Sequence, residues 1–454
     1  MLDGIATEYG RERPEHARPA LRGGGDKVII LVILVAVALM AWPPAARADC
    51  GVTQNGVPEE SLLESFGPRW VDLAGLRPLL AKAGVAINGT YYAEVFGNPV
   101  GGFKQGAAYD GVLDVRIDAD MHKLGLWKGL CFHTNGLQIH GQGITAADIG
   151  GLMAVSSLEA IPATRLEDLW LEQHLLSDRL SIKVGQIRAG NEFIVSRGGG
   201  FFINSTFGWP ALPDADLPSG GPAYPLATPG VRLAINPNDQ FDVLVGVYNG
   251  DPADPNCPDN PQVCNNDGLD FSLDDPPLLM VEGTYNYNRE GLAGRIKIGG
   301  WNHFGDFPPI SVSARGAFDS NYSIYTVIDQ VIWRAPESAE GKAIALFGRI
   351  MGAPSDRNLV DFYTDGGITV SGMIPRRPSD SFAVGLAYAG INADLGFSAE
   401  RTFQAVVEFC YTTQLAPGWT LQPDVQYLRQ SGNVPSDFSL EDALVLGVRS
   451  SINF

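Results

Sequence analysis

Aromatic rings and charged side chains crowd one stretch of this sequence. Segment 189–229 carries Glu192, Arg197, Phe201, Phe202, Phe207 and Trp209, with Arg188 just before it and Arg232 just after. Aromatic faces pack on apolar C–H surfaces, while guanidinium and carboxylate groups hydrogen-bond hydroxyls. That mixture suits non-covalent recognition of a small polar molecule. Covalent catalysis is poorly served: the sequence has no G-x-S-x-G, and its six His form no H-x-x-x-H pair. No catalytic residue, metal site or cofactor is expected.

The elements that must position these residues have a period of two. In Leu113 to Asp120, Leu113, Val115, Ile117 and Ala119 alternate with Asp114, Arg116, Asp118 and Asp120. Ile296 and Ile298 alternate with Arg295 and Lys297, and Leu421, Val425 and Tyr427 with Gln422, Asp424 and Gln426. Alternation of this kind marks strands with one apolar and one wet face. By itself it leaves a soluble β-sandwich open. Counting narrows the choice. Sixteen strand-like segments run from 85–96 to 443–454, an even number, as in bacterial transmembrane barrels. Their spacing is about 25 residues, against about 8–12 in a sandwich. Tight links such as 236–239 and 416–418 alternate with long Gly/Pro/Asp-rich ones.

Both ends of the chain agree with export to an outer membrane. Val28 to Ala41 is a run of fourteen apolar residues preceded by basic ones and followed by Ala46-Arg47-Ala48. It reads as a secretory signal peptide over 1–48, because a membrane-spanning helix needs about 20 residues. Residues 49–84 are expected to form a periplasmic segment with a short helix, since Trp70, Leu73, Leu76 and Leu80 recur at helical spacing, broken by Pro78. The barrel domain is then 85–454. Its last strand places Leu444, Leu446, Val448, Ser450, Ile452 and Phe454 on one face, and a terminal Phe is the assembly signal expected for an outer-membrane barrel. The fold class is therefore all-β, a transmembrane barrel of about sixteen antiparallel strands.

Composition fits this reading. The 454 residues have a mean hydropathy of +0.01, 54 Gly and a formal charge of −19. Removing 1–48 leaves −20. An acidic chain is a poor nucleic-acid binder, and 36 residues between position 48 and the first strand are too few for a transporter plug. Cys257 and Cys264 lie close together in an Asp-rich outer loop and are expected to form a disulfide. Cys131 and Cys410 fall on segments three and fourteen, too far apart to pair, and Cys50 has no assigned partner.

Several blocks carry a family resemblance. They are Phe201 to Gly208, Tyr224-Pro225-Leu226 with Pro229-Gly230-Val231-Arg232, Tyr248 to Asp251, Asp356 to Tyr363, and Leu421 to Tyr427. In this order and spacing the chain resembles the carbohydrate-selective porins of the OprB type. The resemblance implies a sixteen-stranded outer-membrane barrel that admits sugars, glucose among them, by passive diffusion. Its partners would be sugars, outer-membrane lipid and the barrel assembly machinery, with monomer or trimer left open. A general diffusion porin is the alternative, and a barrel-borne enzyme the remote one. An aqueous barrel needs narrowing to be selective, so 189–229 is expected to fold into the lumen. Arg116, Glu172, Arg188, Glu192, Arg197, Phe201, Phe202, Trp209 and Arg232 are the candidate pore and sugar-binding residues.

Overall fold

The computed structural model describes residues 50–454 apart from 54–55, 59, 67–74, 254–256, 258, 312–313, 337–340, 393–401 and 432–440. The expected signal peptide, and Trp70 and Leu73 of the expected helix, lie outside the described residues.

Sixteen strands close into one antiparallel barrel. The first eight are β1 (Val85–Val100), β2 (Ala107–Asp120), β3 (Leu130–Gly141), β4 (Ala163–Leu175), β5 (Leu180–Ile187), β6 (Thr228–Asn238), β7 (Phe241–Asn249) and β8 (Pro277–Arg289). The rest are β9 (Leu292–His303), β10 (Asn321–Arg334), β11 (Ala343–Gly352), β12 (Val360–Ser371), β13 (Ser381–Ile391), β14 (Thr402–Ala416), β15 (Trp419–Ser431) and β16 (Ala443–Asn453). Each pairs with its sequence neighbours, and β16 pairs with β1, matching Tyr91 with Ile452 and Val95 with Val448. Closure leaves no free sheet edge, which a hydrocarbon environment requires.

Side-chain alternation sets the two surfaces. Along β2, Tyr109 and Val115 point outward and are exposed, while Asp110 and Asp114 point inward and are buried. Outward-facing Ile298 and Ile324 are 66% and 70% exposed. In water such a surface would be unfavourable; against lipid it is the expected band. The seam ends on Phe454, whose N–H and C=O exchange 2.8 Å bonds with Gly89. The Phe454 ring packs over Gly89, where an added Cβ would stand 2.6 Å from it and push the ring aside.

Helix α1 (Leu76–Ala83) precedes β1. The expected break at Pro78 is not seen. Pro78 falls in the first helical turn, where a missing N–H removes no intrahelical bond. The helix stops instead at Gly84, which has φ 90° and returns its N–H to Leu80 and Ala81.

The sequence left Cys50 and Cys131 unpaired, yet they form a disulfide across 81 residues. Cys131 points inward from β3, and the N-terminal segment runs under the barrel mouth, with Gly51 against Asp118. That approach depends on tertiary folding and has no local signal. Cys257 and Cys264 are also bonded, and Cys410 is free and buried.

Candidate pore constriction

Strand β5 has eight residues, shorter than its neighbours, and the chain leaves it for the barrel interior. Residues 188–227 then cross the lumen as short helical turns, including α2 (Ala211–Asp216). A backbone travelling through a barrel has no ladder of its own, so its polar groups need partners. Inward side chains of the far wall supply them.

Glu282 on β8 accepts from the Ile194 N–H at 2.9 Å. Asp329 on β10 accepts from Ser196 Oγ and the Gly198 N–H at 2.8 and 3.1 Å. Glu408 on β14 accepts from the Ile203 and Asn204 N–H groups at 2.6 and 3.1 Å. Asn204 Nδ2 reaches Gln426 on β15 at 2.9 Å. Arg349 on β11 is fully buried; it pairs with Asp365 and donates to the carbonyls of Ile194, Thr206, Phe207 and Gly208. These contacts hold Ile194 at φ 66°, a left-handed backbone that a β-branched residue strongly disfavours.

A second segment that the sequence reading missed also turns inward. In 142–162, the Leu152 and Met153 N–H groups donate to Gln404 Oε1 at 2.7 and 3.1 Å. Arg449, paired with Glu94, donates to Ser156 Oγ at 2.8 Å. The segments join where the Ser157 N–H meets Ile203 O at 2.8 Å and the Ser205 N–H meets Ala154 O at 3.0 Å. Within 142–162, Glu159 braces Thr145 and the Ser156 N–H. Burial raises its pKa, and despite those bonds it stands at about 7. A sequence signal existed: isolated polar residues such as Asp329, Glu408 and Gln404 mark inward positions that need partners.

The candidate residues fall into three settings. Glu172, Glu192 and Arg232 come together, joined by Lys183, which the sequence reading did not include. Arg232 lies 2.8 Å from Glu172 and 3.1 Å from Glu192, and Lys183 contacts both carboxylates. Burial pushes the Glu192 carboxyl up, but the Lys183 and Arg232 cations outweigh it and hold the group below its ordinary value. Arg188 stands nearby on Glu167 at 2.6 Å.

The aromatic candidates mostly serve the loop itself. Phe202 is buried, stacked on Phe207 with ring centroids 4.3 Å apart and tilted against Phe347 of β11 at 5.6 Å. It packs the loop on the wall and offers solute little face. Half-buried Trp209 donates Nε1 to Gly220 O at 3.0 Å. Phe201 is half-buried, and its carbonyl accepts from Gln422 Nε2 at 2.9 Å.

Arg116 and Arg197 are the open cations. Arg116 leans on Asp114, and its side chain is 42% exposed. Arg197 is exposed beside Arg295 and Asp329. Asp214 on α2 is a further exposed charge, absent from the sequence reading.

Known proteins share this fold. The profile described as the carbohydrate-selective porin, OprB family, matches residues 104–454. The chain belongs to that family. Porin B of Pseudomonas aeruginosa is 22% identical over 441 residues, covering 85% of this chain and 92% of that protein. The high-pH structure of Pseudomonas putida OprB superposes with a TM-score of 0.74 at 20% identity, over 84% of this chain and 97% of that one. The low-pH structure of the same protein gives 0.55 at 18% identity, with the same coverage. Family and closed barrel together make this porin a multi-pass outer-membrane protein. Its matched region contains both inward segments and every candidate pore residue.

Proposed function

We propose that this porin passes carbohydrates, glucose and related sugars among them, by passive diffusion past the inward segments. The observation that carries the reading is the pair of joined segments crossing the lumen, with the Arg116 and Arg197 cations left exposed. Such a path offers hydroxyl groups several weak partners, and a conducting site must bind weakly enough to release. Arg116 and Arg197 are the groups best placed to touch a passing sugar. Glu172, Glu192, Arg188 and Arg232 set the field of the wall, and Phe201 and Trp209 offer ring edges. Export through the signal peptide at 1–48 and assembly through Phe454 belong to the same proposal.

Purified protein in a planar bilayer tests it. Channel conductance is expected to fall in a saturable way as glucose or a related sugar is added. If several sugars leave conductance unchanged while solutes pass by size alone, the barrel is a general diffusion porin. Hydrolysis or modification of the sugar during passage would instead revive the enzyme reading.

A further inference from the structure

In the link from β7 to β8, residues 259–276 follow a different course from the inward segments. Pairing between β4 and β5 begins at Leu169 and Gln186, so the start of β4 lacks a β5 partner. The link supplies one from outside: the Leu166 N–H donates to Asp267 O at 2.9 Å, and Gln186 Nε2 donates to Gly268 O at 2.9 Å. Gly268 lies so close that a Cβ there would stand 1.9 Å from Leu166 O.

Beyond this contact the link alternates like a strand with no sheet. Leu269, Phe271 and Leu273 are 56%, 45% and 50% exposed and interleave with Asp270, Ser272 and Asp274. Phe271 and Leu273 overhang a groove of about 320 Å³ in the outer wall, lined below by Leu169, Val184, Val231 and Val247. These four belong to the outward row, one residue out of phase with inward Trp170, Gly185, Gly230 and Tyr248.

We propose that this groove holds an acyl chain of an outer-leaflet lipid, capped by Phe271 and Leu273. The groove opens on strand faces turned to the bilayer, so hydrocarbon is its neighbour by position. It lies at the end of the barrel opposite the termini, where the long links gather and where a bacterial barrel meets the outer leaflet. Three exposed apolar side chains in an acidic link are unfavourable in water and favourable in hydrocarbon. Asp270 and Asp274, on the alternate positions, then stand at headgroup level. A second copy of the chain is the competing occupant.

A benzophenone amino acid placed at position 271, with the same label at Asp259 as the water-facing control, tests this in vesicles of phosphatidylethanolamine and phosphatidylglycerol. After irradiation, mass spectrometry is expected to find lipid adducts at position 271 at least severalfold above those at 259. Protein–protein adducts at 271 would overturn the proposal in favour of a second copy, and labelling no greater than at 259 would overturn it outright. Groove filling by Val231→Trp, or by the milder Val184→Phe if the first does not fold, is expected to reduce lipid retained per barrel in native mass spectrometry by one molecule. Equal retention by a filled barrel that still shows heat-modifiable gel migration would also overturn it.

Discussion

The two sides of the lumen use the same inward charges for opposite ends. On β8 to β15, Glu282, Asp329, Arg349 and Glu408 each hydrogen-bond the backbone of 188–227, with Lys297, Arg295 and Asp365 as charge partners of the first three. On β4 to β6, Glu172, Lys183 and Arg232 mainly satisfy one another and Glu192. The first side is a clamp and the second a lining. A buried charge is tolerated only with partners, and which partners are available decides its role. Where the backbone of the crossing segment is brought alongside, the charge becomes an anchor; where that segment presents the Glu192 carboxylate instead, the charge joins a buried ion-pair network.

The sharpest way to break this contrast is Arg349→Ala. It removes donors to four loop carbonyls and the cation beside Asp365, leaving that buried carboxylate the Tyr363 hydroxyl, at a cost of about 3–5 kcal/mol. Thermal unfolding in detergent should shift down, and single-channel conductance should rise as 188–227 loosens. Arg232→Gln probes the opposite side. Lys183 remains to neutralise Glu192, so a loss of about 1–3 kcal/mol is expected. Reversal-potential measurements should show a marked shift toward cations with a smaller change in conductance. A conductance rise as large as that of Arg349→Ala would erase the distinction between clamp and lining.

The open cations should respond no more strongly than Arg232. Arg197→Ala is expected to change stability by no more than about 0.5 kcal/mol, and Arg116→Ala, which leaves buried Asp114 to Asn135 alone, by about 1–3 kcal/mol, while both weaken block by sugar. Unchanged block in both would remove them from the solute path.

The smallest effect concerns pH. Glu159 stands at about 7 against an ordinary 4.5, so the folded state binds the proton more tightly than the unfolded one. Its stabilising contribution is therefore full below about 4.5 and is lost as pH rises through about 7. Amides of 142–162 should show more protection from hydrogen exchange at acidic than at alkaline pH, after correction for intrinsic rates. Glu159→Gln should flatten that dependence.

Much of the wall was legible in the residues. Leu113 to Asp120 announces its lipid and water faces residue by residue, and Leu444 to Phe454 announces the closing strand. The candidate site was legible only in part. Phe202 looked like a platform for solute and proved to be packing, because the decisive fact is Phe347, which lies far along the chain on β11. Lys183 was passed over on an alternating strand, although its neighbours in space, Glu172 and Glu192, were both singled out. Gln404 marks an inward position that needs a partner, but nothing in 142–162 itself says that this link supplies it, and the Cys50–Cys131 bond spans 81 residues.

What the sequence determined alone was the period of two, the strand count and hence the barrel, because side-chain alternation is a property of the local backbone and its solvent. The tertiary structure decided which charges clamp and which line the pore. Hydrogen bonds between a crossing segment and a distant wall exist only once closure has brought β5 opposite β14.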